Sequence, residues 1–133
     1  MAGGPLVQAI GNKTGLPFTL ANWHAANIEA PGMIMVSASI GFSGKGNILV
    51  YGIKPGQEVV LVDDLLSTGG TAVAIIEAIE KAGAIVRCVF FAGEKVNKGG
   101  REYLNKRFPN IEVISLVRFI AELENGVTVD ADL

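Results

Sequence analysis

The chain has 133 residues, 50% hydrophobic and 18% charged, which suits one compact domain and excludes disorder as its main state. Its 17 glycines are nearly double the usual share of about 7% but follow no three-residue period, so a collagen-like chain is excluded too. A formal charge of -2, with Lys and Arg spread thinly, leaves no basic face for duplex nucleic acid, and no apolar run reaches the roughly 18 to 20 residues of a membrane span.

Gly3-Gly4-Pro5 reads as a tight turn entering a short helix from Leu6 to Gly11, which Thr14-Gly15-Leu16-Pro17 ends. Phe18 to Leu20 is expected to be a strand, and Ala21 to Gly32 is polar and irregular. Met33 to Ser37 has strand composition and leads into Ser39 to Asn47, where Gly41, Gly44 and Gly46 predict a mobile loop. Asn47 to Tyr51 resumes β character, and Lys54-Pro55-Gly56-Gln57 is a turn.

Val59-Val60-Leu61-Val62 is a continuous apolar run, as expected of a central parallel strand covered on both faces. Asp63 to Thr71 follows, and then Ala72 to Ala82, a helix ended by Gly83. Ile85 to Phe91 is a second apolar strand, so the three segments form a right-handed βαβ unit and imply a parallel sheet. The single cysteine, Cys88, lies within it and reads as a small buried apolar residue in a reducing, cytoplasmic setting. Lys98 to Phe108 is expected to be helical and Ile111 to Leu116 a strand. Asn125-Gly126, between Phe119 to Leu123 and Val127 to Val129, signals a terminal hairpin. No repeat or linker divides the chain, so residues 1–133 are expected to form a single domain.

In open parallel sheets, ligands bind beyond the carboxyl ends of the strands, which is where Asp63 to Thr71 falls. Ser67, Thr68 and Thr71 supply hydroxyls, Gly69 and Gly70 let backbone approach closely, and the next helix presents unpaired N–H groups at its positive end. These are the parts of a phosphate cradle. The acidic pair would repel a bare phosphate but suits sugar hydroxyls, which donate to carboxylates, or a magnesium ion. Together the halves describe a ribose 5-phosphate site. A plain helix cap after a solvated strand end accounts for either half alone, not for adjacent carboxylates whose repulsion a turn does not need. A Walker-type loop is absent, because Gly41-Phe42-Ser43-Gly44-Lys45-Gly46 has the wrong spacing.

The run Val59 to Thr71 resembles the phosphoribosyl-diphosphate signature of type I phosphoribosyltransferases. Ala2-Gly3-Gly4-Pro5-Leu6 is similar to the family's pyrophosphate loop, Thr14 to Phe18 to the start of its next strand, and Phe42-Ser43-Gly44-Lys45-Gly46 to part of its catalytic flap. Glu94-Lys95, Gly100-Arg101 and Ile114-Ser115-Leu116-Val117 resemble the purine-salvage branch, which includes adenine, xanthine and archaeal hypoxanthine enzymes.

The resemblance implies an α/β fold: a Rossmann-like parallel sheet flanked by helices, closed by the C-terminal β-hairpin. The implied activity transfers ribose 5-phosphate from phosphoribosyl diphosphate to a purine base, with Mg2+ and release of pyrophosphate, in a homodimer. By this resemblance Asp63 and Asp64 hold the ribose hydroxyls and, directly or indirectly, the metal. Leu65, Leu66, Ser67, Thr68, Gly69, Gly70 and Thr71 hold the 5-phosphate, and Gly3 and Gly4 face the pyrophosphate. Lys45 closes over the substrate or belongs to an ordinary turn, and Lys95 meets a 6-oxopurine oxygen or forms a surface salt bridge with Glu94. Trp23, Phe42 and Phe91 are aromatic enough to stack on a base, though in so apolar a chain the core is their usual place.

Two departures stand out. Where the family carries a Lys or Arg after the pyrophosphate-loop helix, Asn22 to Glu29 has none, leaving His24 as a substitute donor or a surface residue. A strand and a small hood over the base normally precede the pyrophosphate loop and would fall before Met1. The chain is then a shortened member, a fragment, or completed by a partner subunit. A non-catalytic phosphoribosyl-diphosphate-binding regulatory module is the second functional reading. A phosphoacceptor receiver domain is the third, and it needs a further Asp at a strand end where Gly100 to Lys106 looks helical.

Overall fold

Pro5 fits a first helical turn because its missing N–H needs no partner there, and Gly15 at φ 74° closes the last turn by bonding the Gly11 carbonyl. Between them α1 runs Gly4–Thr14 in the computed structural model, which describes residues 3–24, 30–40, 44–122 and 126–130. Phe18 to Leu20, expected to be a strand, is instead irregular and exposed. The reason is local: a Cβ on Gly11 would lie 2.5 Å from the Phe18 ring, so the segment folds back over the helix.

β1, Ala21–His24, begins inside the stretch expected to be irregular. β2, Met33–Ile40, and β3, Gly44–Tyr51, are longer than their predicted cores and pair antiparallel from Met33 opposite Tyr51 to Ile40 opposite Gly44. Most of the expected mobile loop is therefore hairpin strand, and positions 41–43 at its tip lie outside the described residues. β1 pairs with the other edge of β3, giving a three-stranded sheet of order β1-β3-β2.

The second sheet has four strands: β4, Glu58–Leu66; β5, Ile85–Lys95; β6, Glu112–Glu122; and β7, Gly126–Asp130. Its order is β4-β5-β6-β7, with β4, β5 and β6 parallel and β7 antiparallel to β6. β4 therefore lies at the edge, not the centre, and Val60 is 57% exposed. Its continuous apolar run overstated coverage, because only Leu61 and Leu66 of the strand enter the core. The strands predicted at Ile111 to Leu116 and Phe119 to Leu123 are one strand, β6, whose second half forms the expected hairpin with β7; the turn at 123–125 is not among the described residues.

α2, Gly70–Lys81, is the hub. Ala72 to Ile76, Ala78 and Ile79 are all buried, so the helix is apolar nearly all round and meets both sheets. Its residues join Ile48 and Val50 of β3 with Val86, Val89 and Phe91 of β5 in one continuous core. α3, Gly100–Arg107, is shorter than its predicted span, being preceded by a 3-10 turn at Val96–Lys98, and it buries Leu104. Cys88 is half-buried, and burial with the nearby Glu112 charge pushes its thiol pKa up, as suits an inert side chain. No described helix is long and apolar enough to cross a membrane.

Candidate functional site

The parallel ladder aligns the carboxyl ends of β4 and β5, with Asp63 beside Phe91 and Leu66 beside Glu94. β4 stays extended through Leu66, so Asp63 and Asp64 sit inside its last turn of register rather than after it. Ser67 and Thr68 then bend the chain, Gly69 takes φ +88°, and α2 starts at Gly70. That left-handed step is one glycine adopts freely. No side chain caps α2, so the amides of its first turn are left to a ligand or water. Ser67, Gly70 and Thr71 are half-buried and Thr68 is exposed, which leaves the loop open on one side.

Asp63 is half-buried. Its Oδ1 accepts a hydrogen bond from the Asp64 backbone N–H at 2.9 Å. Burial raises its pKa to about 6; the bond from the Asp64 amide opposes that, and the Asp64 carboxyl adds to it through a hydrogen bond and like charge. The two carboxyls thus sense each other, as the paired reading requires.

The amino end of α1 reaches the same place: a Cβ on Gly3 would lie 2.7 Å from Asp63 Oδ1 and 3.1 Å from its Cα. Only a glycine lets the backbone come so near, and the start of a helix is favourable for a carboxylate. Gly3, Gly4, Asp63, Asp64 and the loop from Leu65 to Thr71 therefore share one end of the sheet.

The other predicted residues fall differently. Lys45 is in β3, in register with Ser39 of β2. His24 ends β1 in register with Asn47 of β3. Lys95 ends β5, half-buried, one position beyond the partner of Leu66. Phe91 is wholly in the core and has no free face for a base, while Trp23 is partly buried against that core with its ring seated on Gly46. Phe42 lies outside the described residues.

Glu94 departs furthest from expectation. It is buried, not on the surface, and Arg101 grips it in bidentate fashion, Nε to Oε1 at 3.0 Å and Nη2 to Oε2 at 2.7 Å. Arg101 also donates to the Val113 carbonyl at 2.7 Å and to Ser115 Oγ at 3.2 Å, and Arg118 Nε lies 3.6 Å from Glu94. Burial by itself would raise the Glu94 pKa, but Arg101, the Ser115 hydroxyl and Arg118 outweigh it and hold the carboxyl below its ordinary value. Three separate segments thus meet in one cluster. Nothing in their spacing announces it, since Arg101 is reached only after a 3-10 turn and a left-handed Gly99.

Among the described residues no group of three or more His, Cys, Asp and Glu could cage a metal. Asp63 and Asp64 do suit Mg2+, which is commonly held by one or two carboxylates together with substrate phosphates. An open depression of about 390 Å³ lined by Glu77, Arg107 and Phe108 lies at the opposite, amino-terminal end of the parallel strands and does not belong to this site.

The model of the phosphoribosyl transferase domain family matches residues 19–130. The chain is 37% identical over 115 residues to a hypoxanthine/guanine phosphoribosyltransferase of Methanocaldococcus jannaschii, covering 83% of this chain and 61% of the relative. It is 33% identical over 125 residues to the protein of the same name from Methanocella paludicola, covering 94% of this chain and 61% of that one. The chain therefore spans about three fifths of the length of these relatives. Among solved structures, adenine phosphoribosyltransferase from Thermoanaerobacter pseudethanolicus superposes with a TM-score of 0.73 at 26% identity, covering 90% of this chain and 66% of that one.

Proposed function

The chain belongs to the phosphoribosyl transferase domain family, and on that premise we propose that it transfers ribose 5-phosphate from phosphoribosyl diphosphate to a purine base in nucleotide salvage. The bond from ribose C1 to the pyrophosphate oxygen breaks, a purine nitrogen takes its place at C1 and gives up its proton to solvent, and pyrophosphate leaves. What supports this is the meeting of Asp63 with the glycine at the start of α1 and, four residues along, with the open loop into α2.

Each part has a task in that reaction. Asp63 and Asp64 accept hydrogen bonds from the ribose hydroxyls and favour the positive charge that develops on the sugar. Leu65 to Thr71 receives the 5-phosphate through backbone amides and the hydroxyls of Ser67, Thr68 and Thr71. The amides near Gly3 and Gly4 face the pyrophosphate, Lys45 closes from the β2–β3 hairpin, and Lys95 donates to a 6-oxo group of the base. Mg2+, held with Asp63 and Asp64, supplies charge neutralisation to the leaving group. The relatives' names make hypoxanthine and guanine the first bases to try. The protein is proposed to work as a single cytoplasmic domain in a homodimer.

A second reading, a regulatory module that binds phosphoribosyl diphosphate without turnover, is favoured by one observation: Asn22 to Glu29 carries no Lys or Arg. The two are separated by incubating the chain with Mg2+, phosphoribosyl diphosphate and each of hypoxanthine, guanine, xanthine, adenine and orotate. Nucleotide and pyrophosphate formed from a purine support the transferase. Saturable binding with no product supports the module, and the absence of both product and binding would refute both readings.

A further inference from the structure

The loop that carries the phosphate cradle rests on α3. A Cβ on Gly100 would lie 2.2 Å from the Ser67 carbonyl oxygen and 2.7 Å from Leu66 Cδ1. A Cβ on Gly69 would lie 3.2 Å from the Gly100 carbonyl oxygen and 3.3 Å from the Tyr103 ring. Backbone therefore meets backbone, and wherever the first turn of α3 goes the Ser67 to Gly70 loop must follow.

α3 has little of its own to fix that turn. It is 8 residues long and buries only Gly100 and Leu104. Helices shorter than about 12 residues are marginal on their own, so tertiary contacts must hold it. The residue after Gly100 makes those contacts: Arg101 is tied to Glu94 at the end of β5 and to Val113 and Ser115 of β6. A planar guanidinium can address these three partners together, which an ammonium cannot.

We propose that Arg101, anchored by Glu94, Val113 and Ser115, is a positioning residue that holds Gly100 against Ser67 and so fixes the phosphate-binding loop. Its kinetic consequence rests on the transferase reading; its structural consequence does not. The phosphate is remote from the bond that breaks, so a slack loop weakens substrate and transition state alike, raising KM rather than lowering kcat.

The test uses the full chain with Arg101→Lys and, as a milder second variant, Ser115→Ala. Hydrogen exchange in Arg101→Lys should quicken about tenfold or more at the Val73 amide, which donates to the Gly69 carbonyl, and at the Tyr103 amide, which donates to the Gly99 carbonyl, and leave those of 76–79 in α2 as in the parent. The KM for phosphoribosyl diphosphate should rise about tenfold with kcat within about threefold. Ser115→Ala should show the same pattern more weakly, and it carries the test if Arg101→Lys does not fold. Unchanged exchange at Val73, or a rise spread evenly over α2 and β5, would overturn the proposal. A parent chain with neither turnover nor calorimetric binding of ribose 5-phosphate would remove the transferase reading, while the exchange contrast would still decide the positioning one.

Discussion

Asp63 and Glu94 are acids near the carboxyl ends of adjacent parallel strands, both withdrawn from water, and their surroundings push them in opposite directions. Glu94 has a bidentate arginine, a hydroxyl and a second guanidinium close by, so its charge is settled within the protein. Asp63 has a backbone amide and another acid, so the cost of its charge is met only in part. Burial alone therefore does not single out a candidate functional carboxylate; a charge the fold leaves unneutralised is the better signal. One acid is neutralised within the scaffold, and the other is the one proposed to meet hydroxyl donors or a cation.

The largest effect that would sharpen this contrast is on activity. Asp63→Asn with Asp64→Asn should lower kcat/KM by about a thousandfold or more, as expected when groups facing developing charge are lost, with the fold retained. Steady-state assays with hypoxanthine, alongside a thermal melt, check both halves. Normal turnover in the double variant would break the comparison at its functional end.

Next in size is the scaffold acid. Glu94→Ala leaves Arg101 half-buried without its carboxylate, and loss of one member of a buried pair costs about 3–5 kcal/mol, reduced here toward about 2–3 because Arg101 keeps some contact with water. Urea unfolding of parent and variant measures it.

The two acids should also give opposite pH slopes. The folded Asp63 keeps its proton up to about pH 6 whereas an unfolded aspartate loses it near the ordinary value of 3.8, so Asp63 makes the protein less stable as pH rises through that window. The size is on the order of 1–2 kcal/mol, since a half-buried group is partly screened. Asp63→Asn should remove this step from a plot of unfolding free energy against pH. Glu94, held below its ordinary value of 4.5, adds stability that is present above that pH and is lost as pH falls through the lowered folded value. A parent-minus-Asp63→Asn difference that stays flat between pH 4 and 6 would erase the distinction. The same ionisation predicts that affinity for phosphoribosyl diphosphate weakens below about pH 6, where Asp63 gains a proton it must give up to accept from sugar hydroxyls.

The smallest effect concerns the loop that lies between the two acids. Gly69→Ala places a methyl at φ +88° and 3.2 Å from the Gly100 carbonyl oxygen, costing about 1–2 kcal/mol of stability. Its KM for phosphoribosyl diphosphate should rise more than its melting temperature falls, and an unaltered KM would dissociate loop geometry from phosphate binding.

Read from sequence, the central motif came through well because its chemistry is local. A strand, two acids, a hydroxyl-and-glycine turn and a helix start are consecutive from Val59 to Thr71, and the amides that would meet a phosphate belong to neighbouring residues. The helices α1 and α2, the parallel βαβ unit and the terminal hairpin were legible for the same reason, each being set by periodicity and punctuating glycines. Strand lengths were not. β5 continues through Gly93 and Glu94 and β6 through Arg118 because ladder pairing with a neighbour overrides the weak preference of single residues.

Amino-acid order by itself thus determined which residues form the acidic pair and the loop proposed to hold a phosphate, since covalent adjacency brings them together before any packing. Tertiary structure alone decided that β4 is an edge, that Gly3 touches Asp63, that Glu94 is buried under Arg101, and that α3 supports the loop. Those contacts join segments far apart in the chain. Their partners are chosen by how the sheets close around α2, and no period or motif along the backbone encodes that choice.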